Sequence, residues 1–339
     1  MGADLDLLVL AELNPDVLVA AGDVDLRFGQ VEQLVENATI TLGSSGAITA
    51  AAAAVQGLRV AVCAVVGDDQ VGTWVTDLLA AQGVDIACVV RRPGRATGIS
   101  VVITRPDGDR AILTFGGTMA EMTAADVPHD RLRAAGHVHA SSFFLQRGLQ
   151  ADLPKLFGYA RAAGATTSLD PGWAPDGEWA KVKHALSQVD YLLPNAAECA
   201  ELAAAFGAWR NGDQNDDAKD SETRKLKAAR RAAEALRKVG PTVVVKLGAA
   251  GGLLVGPEGV VLAHGKAVDP VDTTGAGDCF NAGFIAGLLD GSTQTESLKR
   301  AVTSGAIAVT GWGGTGRLAT RDEALSAAAE LTAERLPDW

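Results

Sequence analysis

The chain has 339 residues, 47% of them hydrophobic, with a formal charge of −11 and a sequence pI near 4.9. That length and apolar content support a sizeable packed core and exclude disorder as the general state. The acidic balance disfavours nucleic acid and anionic membranes as partners and points to a small molecule, with any anionic ligand needing a local site. Cys63, Cys88, Cys199 and Cys279 are scattered singly without CxxC spacing or His pairing, as expected of inert buried thiols in a reducing compartment. The N-terminal stretch carries acids where a secretory leader needs positive charge, and no apolar run approaches membrane-spanning length, so a cytoplasmic protein is expected.

In chain order, residues 16–42 look extended and lack a helical stripe. A helix near 46–56, a strand at 58–66 and a helix near 70–82 follow. Residues 98–115 alternate apolar and polar on both sides of Asp107-Gly108, a dipeptide suited to a tight hairpin turn. Further helices are predicted near 123–135, 148–164, 196–206, 224–239, 277–289 and 295–310, with strands at 137–141, 165–170, 190–194 and 242–248. Residues 207–225 are polar, charge-dense and poor in apolar groups, which predicts a mobile surface loop. The alternation argues for one α/β domain over 1–339, a mostly parallel central sheet with helices on both faces. The segments 16–42 and 98–115 add a small antiparallel lid.

Two phosphate motifs fail. No GxxxxGK[ST] occurs, and "GWGGTG" (311–316) meets GxGxxG formally but has no βαβ unit behind it. A better cradle is "VDTTGAGDCFNAGF" (271–284), where Gly275, Ala276 and Gly277 precede an apolar helix. Unpaired N–H groups and the positive dipole end at such a helix start suit an anion. Small residues Ala282, Gly283, Ala286 and Gly287 should let that helix pack tightly against the sheet. Read locally, Asp278 could be an ordinary first-turn helix acid.

This stretch resembles the C-terminal motif of the ribokinase-like (PfkB) carbohydrate kinases, DTxGAGD. The resemblance implies a three-layer α/β/α sandwich with a β-sheet lid. It also implies that Asp278 is the general base and that the Gly275, Ala276, Gly277 and Asp278 amides form an anion hole for the transferring phosphoryl group. "ELNPDVLV" (12–19) resembles the first-strand motif, placing Asn14 and Asp16 at sugar hydroxyls. "LGSSGAITAAAAAVQGLRVAVCAVVGDDQVG" (42–72) resembles the N-terminal motif and implies substrate contacts at Gly43, Ser44 and Ser45. There Ser44 stands where Gly is usual, and Ile48 where an Asn commonly helps contact the sugar.

"PNAAE" (194–198) resembles the NxxE motif, implying nucleotide contact at Asn195 and a water-mediated Mg2+ role for Glu198. The same letters also spell a helix capping box. "LDPGW" (169–173) resembles the DPN element with Gly172 in place of Asn, leaving Asp170 as the polar helper. "VVKLGAAGGLLV" (244–255) looks like the ATP-side strand and turn, with Lys246 and Gly248 near phosphates or ribose. Asp272 and the Thr274 carbonyl match a monovalent-cation site, K+ in the family, and residues 309–316 match the loop that completes it. The implied activity is Mg-ATP-dependent phosphorylation of a primary hydroxyl on a small sugar or sugar acid, with ribose itself a poor substrate and a homodimer formed through the lid. A nucleoside kinase of the same fold and a sugar-binding regulator without catalysis are the alternatives, the former disfavoured by 5% aromatic content.

Overall fold

Apolar runs at the positions of the core strands set the architecture. In the computed structural model, residues 5–22, 27–105, 110–207 and 221–337 are described. Leu5–Leu10 (β1), Pro15–Ala20 (β2), Asn37–Leu42 (β3), Val60–Gly67 (β4), Asp85–Arg92 (β5), Ile99–Thr104 (β6) and Arg110–Phe115 (β7) occupy the first third. Ala135–Ala140 (β8), Thr166–Leu169 (β9), Tyr191–Leu192 (β10), Thr242–Lys246 (β11), Gly251–Gly256 (β12), Gly259–His264 (β13) and Ala333–Leu336 (β14) complete the set. A ten-stranded sheet has the order β14-β13-β12-β11-β10-β9-β8-β1-β4-β5 and a four-stranded sheet the order β3-β2-β6-β7. The large sheet is parallel from β11 to β5 and antiparallel from β11 to β14.

Strand residues alternate between two cores, as the period of two requires. Leu8, Leu10, Ala61, Cys63 and Val65 join the cluster on one face of the sheet. Leu7, Val9, Val60, Val62 and Val66 join the cluster on the other. Helices cover both faces, giving the three-layer α/β/α sandwich with a second, smaller sheet.

Several boundaries differ from expectation. The first core strand is β1, upstream of the 12–19 motif, whose Pro15–Ala20 belongs to the small sheet. That sheet is mixed, because β2 pairs with β6 in parallel while β2–β3 and β6–β7 are antiparallel. The cause is connectivity: β2 follows β1 and β6 follows β5, so both leave a parallel sheet in the same sense. The expected helix at 148–164 breaks into Arg147–Gln150 and Leu153–Ala162, with Pro154 starting the second. The 123–135 helix contracts to His129–Ala134. Residues 221–225, expected in a loop, open the helix Ser221–Arg237, while the Asp107-Gly108 turn and 208–220 lie outside the described residues. Helix Arg321–Glu330 and the strands β5, β12, β13 and β14 were not predicted.

Helix Ala276–Leu289 is the element that positions the GAGD loop. Gly283 and Gly287 face the helix Gln294–Ala308 rather than the sheet: a Cβ on Gly283 would lie 2.5 Å from Ser304 Oγ, and one on Gly287 would lie 2.7 Å from the Ser297 Cα. Ala282 and Ala286 are fully buried. Gly287→Val should therefore destabilise the fold by about 1–3 kcal/mol through overpacking, read as a lower urea midpoint at unchanged m-value.

Candidate active site

The "DTTGAGD" loop is shaped by one carboxylate and one left-handed glycine. Asp272 Oδ1 accepts from the Thr274 N–H at 2.9 Å and from its hydroxyl at 2.8 Å, and Oδ2 accepts from the Gly313 N–H at 2.8 Å. Gly275 has φ 74°, and a Cβ there would meet the Gly314 Cα at 2.7 Å. The "GWGGTG" loop is thus the wall against which the GAGD turn closes. A Cβ on Gly314 would in turn strike Ile48, which is buried, and one on Gly313 would lie 3.2 Å from Thr41 and 3.3 Å from Leu18 of the small sheet.

Four amides were expected to face an anion. In the structure the Asp278 N–H donates to the Gly275 carbonyl at 3.1 Å and the Ala276 N–H reaches the Thr273 carbonyl at 3.4 Å. The first turn has tightened into i to i+3 bonds, a common way to satisfy helix-end donors. The N–H groups of Gly275 and Gly277 have no acceptor among the described residues.

Asp278 sits in the first turn of the helix, and its Oδ1 accepts from Ser45 Oγ. Burial, followed by the charge of Asp170, pushes its carboxyl up to about 8. Lys246, at the end of β11, donates to Asp170 Oδ2 at 2.6 Å, and Asn281 Nδ2 donates to the same oxygen at 2.6 Å. Burial opposes the charge on both partners of this ion pair. It is outweighed, so that Asp170 lies below the usual carboxylate range and Lys246, facing Asp170 and Glu198, lies above the usual ammonium range. A Cβ on Gly277 would lie 3.3 Å from Lys246 Cδ and 3.7 Å from Nζ, so the lysine runs beside the open amides.

Asn195 and Glu198 form a capping box for helix Ala196–Ala205, so these letters serve local structure. Asn195 also forms a β-bridge with Lys246, which brings the box to the same cluster. Burial and then Asp170 raise Glu198 to about 7. Gly248 stands apart, exposed on the turn between β11 and β12 at φ 61° with open space beside it.

On the small-sheet side, Asn14 Nδ2 donates to Asp16 Oδ1 at 3.0 Å and to Ser100 Oγ at 3.3 Å. Burial lifts Asp16 to about 6 against the pull of Asn14 and Arg110. A Cβ on Gly43 would fall 2.3 Å from Asp16 Oδ1, so glycine is required for this approach. Ser44, at φ 68°, caps helix Ser45–Val55 by accepting from the Ala47 N–H and donates to the Glu12 carbonyl; its hydroxyl is spent on the chain. The adjacent Ser45 hydroxyl joins this side to Asp278.

Glu12 and Asn281 escaped the sequence reading. Glu12 is buried two residues upstream of Asn14, burial lifts it to about 7 against bonds from Ser142 and the Ser45 backbone, and its Oε2 has no hydrogen-bond partner among the described residues. An acid closing the apolar run Leu7–Ala11 was the available signal. Asn281 lies one turn after Asp278, at the spacing that shares a helix face.

The cluster is placed by helix 276–289, by the ends of β1, β9, β10 and β11, and by the start of helix 45–55. The sequence profile of the pfkB family carbohydrate kinases matches residues 6–321. The chain belongs to the pfkB family of carbohydrate kinases. It is 31% identical to an ATP-dependent ribose-1-phosphate kinase of Halopiger xanaduensis, over 84% of this chain and 88% of that one. Identity to a 2-dehydro-3-deoxygluconokinase of Bacillus subtilis is 28%, over 86% and 89%. Among solved structures, a PfkB protein from Polaromonas sp. JS666 has a TM-score of 0.73 at 26% identity, covering 94% of this chain and 98% of that one. Thermotoga maritima ribokinase shares the fold with a TM-score of 0.78 at 21% identity, covering 96% and 100%. Membership makes this pfkB chain an ATP-dependent phosphotransferase for a small polar substrate. No helix among the described residues is long and apolar enough to cross a membrane.

Asp278, Glu12 and Glu198 all have folded-state values raised above their ordinary ones. Each contributes stability below pH 4 that is lost as pH rises toward about 7 to 8. The ligand-free protein should therefore melt progressively lower across that interval. Asp278→Asn should flatten the slope and stabilise the protein at pH 8 by about 2 kcal/mol, measured by thermal melts over a pH series.

Proposed function

We propose that this pfkB kinase phosphorylates a primary hydroxyl of a small sugar or sugar acid, with Asp278 as general base. The carrying observation is the position of Asp278. It lies between open amides flanked by Lys246 and a polar cradle of Asn14, Asp16, Gly43 and Ser45. The Asp278 carboxylate accepts the proton of the substrate hydroxyl while that oxygen attacks the γ-phosphorus of ATP, and the bond to the ADP oxygen breaks. The Gly275 and Gly277 amides, with Ala276 between them, and the Lys246 ammonium offset charge developing on the phosphoryl oxygens. Asp16 and Asn14 orient the substrate from the small sheet.

No group of three or more His, Cys, Asp or Glu side chains among the described residues could hold a metal ion. Glu198 beside Asp170 fits a magnesium ion that arrives with ATP and keeps its waters, as this metal commonly does with one or two carboxylates. Magnesium supplies charge neutralisation on the phosphates. Asn195, Lys246 and the rim at Gly248 form the nucleotide side. Asp272 and the Thr274 carbonyl suit a potassium ion behind the GAGD turn, stiffening a loop that the Asp272 hydrogen bonds already shape. The small sheet acts as the lid. Ile40, Ile112, Leu113 and Phe115 on its edge strands are exposed and suit a second copy of the lid in a homodimer.

Asp278→Asn should lower kcat by about 10²- to 10⁴-fold and leave ATP affinity near native, because positioning survives and proton acceptance does not. Near-native turnover would remove Asp278 from its role. Substrate class is tested by ADP release with ribose, fructose, 2-keto-3-deoxygluconate and adenosine side by side. Ile48 is buried against Gly314 and offers no hydrogen bond, so kcat/KM for ribose should be about 5- to 150-fold below that of the best sugar or sugar acid. A clear preference for ribose overturns the Ile48 argument, and a clear preference for adenosine overturns the sugar reading.

A further inference from the structure

The four cysteines look alike in the sequence, yet the fold separates them into two kinds. Cys199 and Cys279 are buried singly, and burial pushes both thiols well up, which leaves them inert. Cys63 on β4 and Cys88 on β5 are register partners in adjacent parallel strands and belong to the same core cluster. Such strands lie about 4.8 Å apart, inside the span of roughly 4.4–6.8 Å between the Cα atoms of a disulfide. The two thiols act electrostatically on each other, and the Arg131 guanidinium, which pairs with Asp85 on the same strand as Cys88, acts on Cys88. Strand β5 is the edge of the large sheet, and Cys88 keeps 8% of its surface exposed where Cys63 keeps none.

We propose that Cys63 and Cys88 are a redox-active dithiol, in which Cys88 is oxidised first by a peroxide and Cys63 then closes a disulfide between β4 and β5. The Cys88 thiolate attacks a peroxide oxygen, the O–O bond breaks, and the departing oxygen leaves as water after protonation. The Cys63 sulfur then attacks the Cys88 sulfenic sulfur, the S–O bond breaks, and a second water carries away the Cys63 proton. Two electrons pass from the thiol pair to one peroxide. Polarity of the pair follows from the neighbours: the Cys63 thiol donates to Cys88 and Arg131 adds its charge, so that Cys88 is lowered to about 6 despite burial, whereas Cys63 is raised. Asp85 opposes this lowering, and Arg131 prevails over it. The Cys88 thiol thus has thiolate character, partial access and an adjacent resolving thiol, three marks of an oxidisable cysteine.

The test treats the full chain with hydrogen peroxide and follows it by thiol titration in denaturant, intact mass and peptide mapping. Free thiols should fall from four to two with loss of two hydrogens, and the linked peptides should be those of Cys63 and Cys88. Cys88→Ala should abolish the linkage, and Cys63→Ala should stop at a sulfenic acid trapped by a dione probe. Arg131→Met returns Cys88 toward an ordinary thiol and should slow oxidation at pH 6 by about tenfold, the lost thiolate fraction being partly offset by greater nucleophilicity. Persistence of four thiols, or a linkage involving Cys199 or Cys279, overturns the proposal. Peroxide consumption of thiols at an unchanged rate in Cys88→Ala removes Cys88 as the attacking thiol. The mapping on the unsubstituted protein stands even where a variant folds poorly.

Discussion

The buried pair of Lys246 and Asp170 holds the site together. Asp170 follows β9, Lys246 ends β11, and Asn281 projects from helix 276–289, so one carboxylate joins three elements. Removing either charge would leave the other buried and unpaired, a loss of several kcal/mol. The same lysine faces Glu198 and Asp278, whose carboxyls are held high by burial and by Asp170. The site is therefore crowded with acids, held high by burial and by one another.

A second constraint is closeness of backbone. Gly275 abuts Gly314, Gly314 abuts Ile48, and Gly313 reaches Leu18 and Thr41 of the small sheet. The loop at 311–316 consequently touches the phosphate-side turn, the helix that carries Ser45, and the lid. These contacts leave little room to give, so the small sheet and the GAGD turn are packed through one loop.

The motif at 272–278 was legible because its chemistry is local: acid, glycine and helix start follow one another in the chain. The parallel core was legible from apolar runs. What stayed hidden depends on register and on returns from distant segments. Asp170 was recognised as a polar residue, but its role as the shared partner of Lys246 and Asn281 needs β9, β11 and a helix to converge. Glu12 looked like an unremarkable acid because nothing in its neighbours announces burial. Cys63 and Cys88 looked solitary because 24 residues separate them, although the parallel pairing of β4 and β5 puts them side by side. The reading of Gly283 and Gly287 as sheet contacts failed for a related reason: periodicity identifies a small face but not the element that covers it.

The division of the cradle between two sheets has an evolutionary consequence. Asp16 is held by Asn14 and lies in the small sheet, whereas Asp278, Lys246 and the open amides are anchored in the large one. Under the function proposed above, substitutions in the small sheet change how the substrate is held and leave the Asp278 and Lys246 half of the cluster untouched. Such a scaffold lets a lineage exchange one small polar substrate for another by altering one sheet, under selection that never has to rebuild the other.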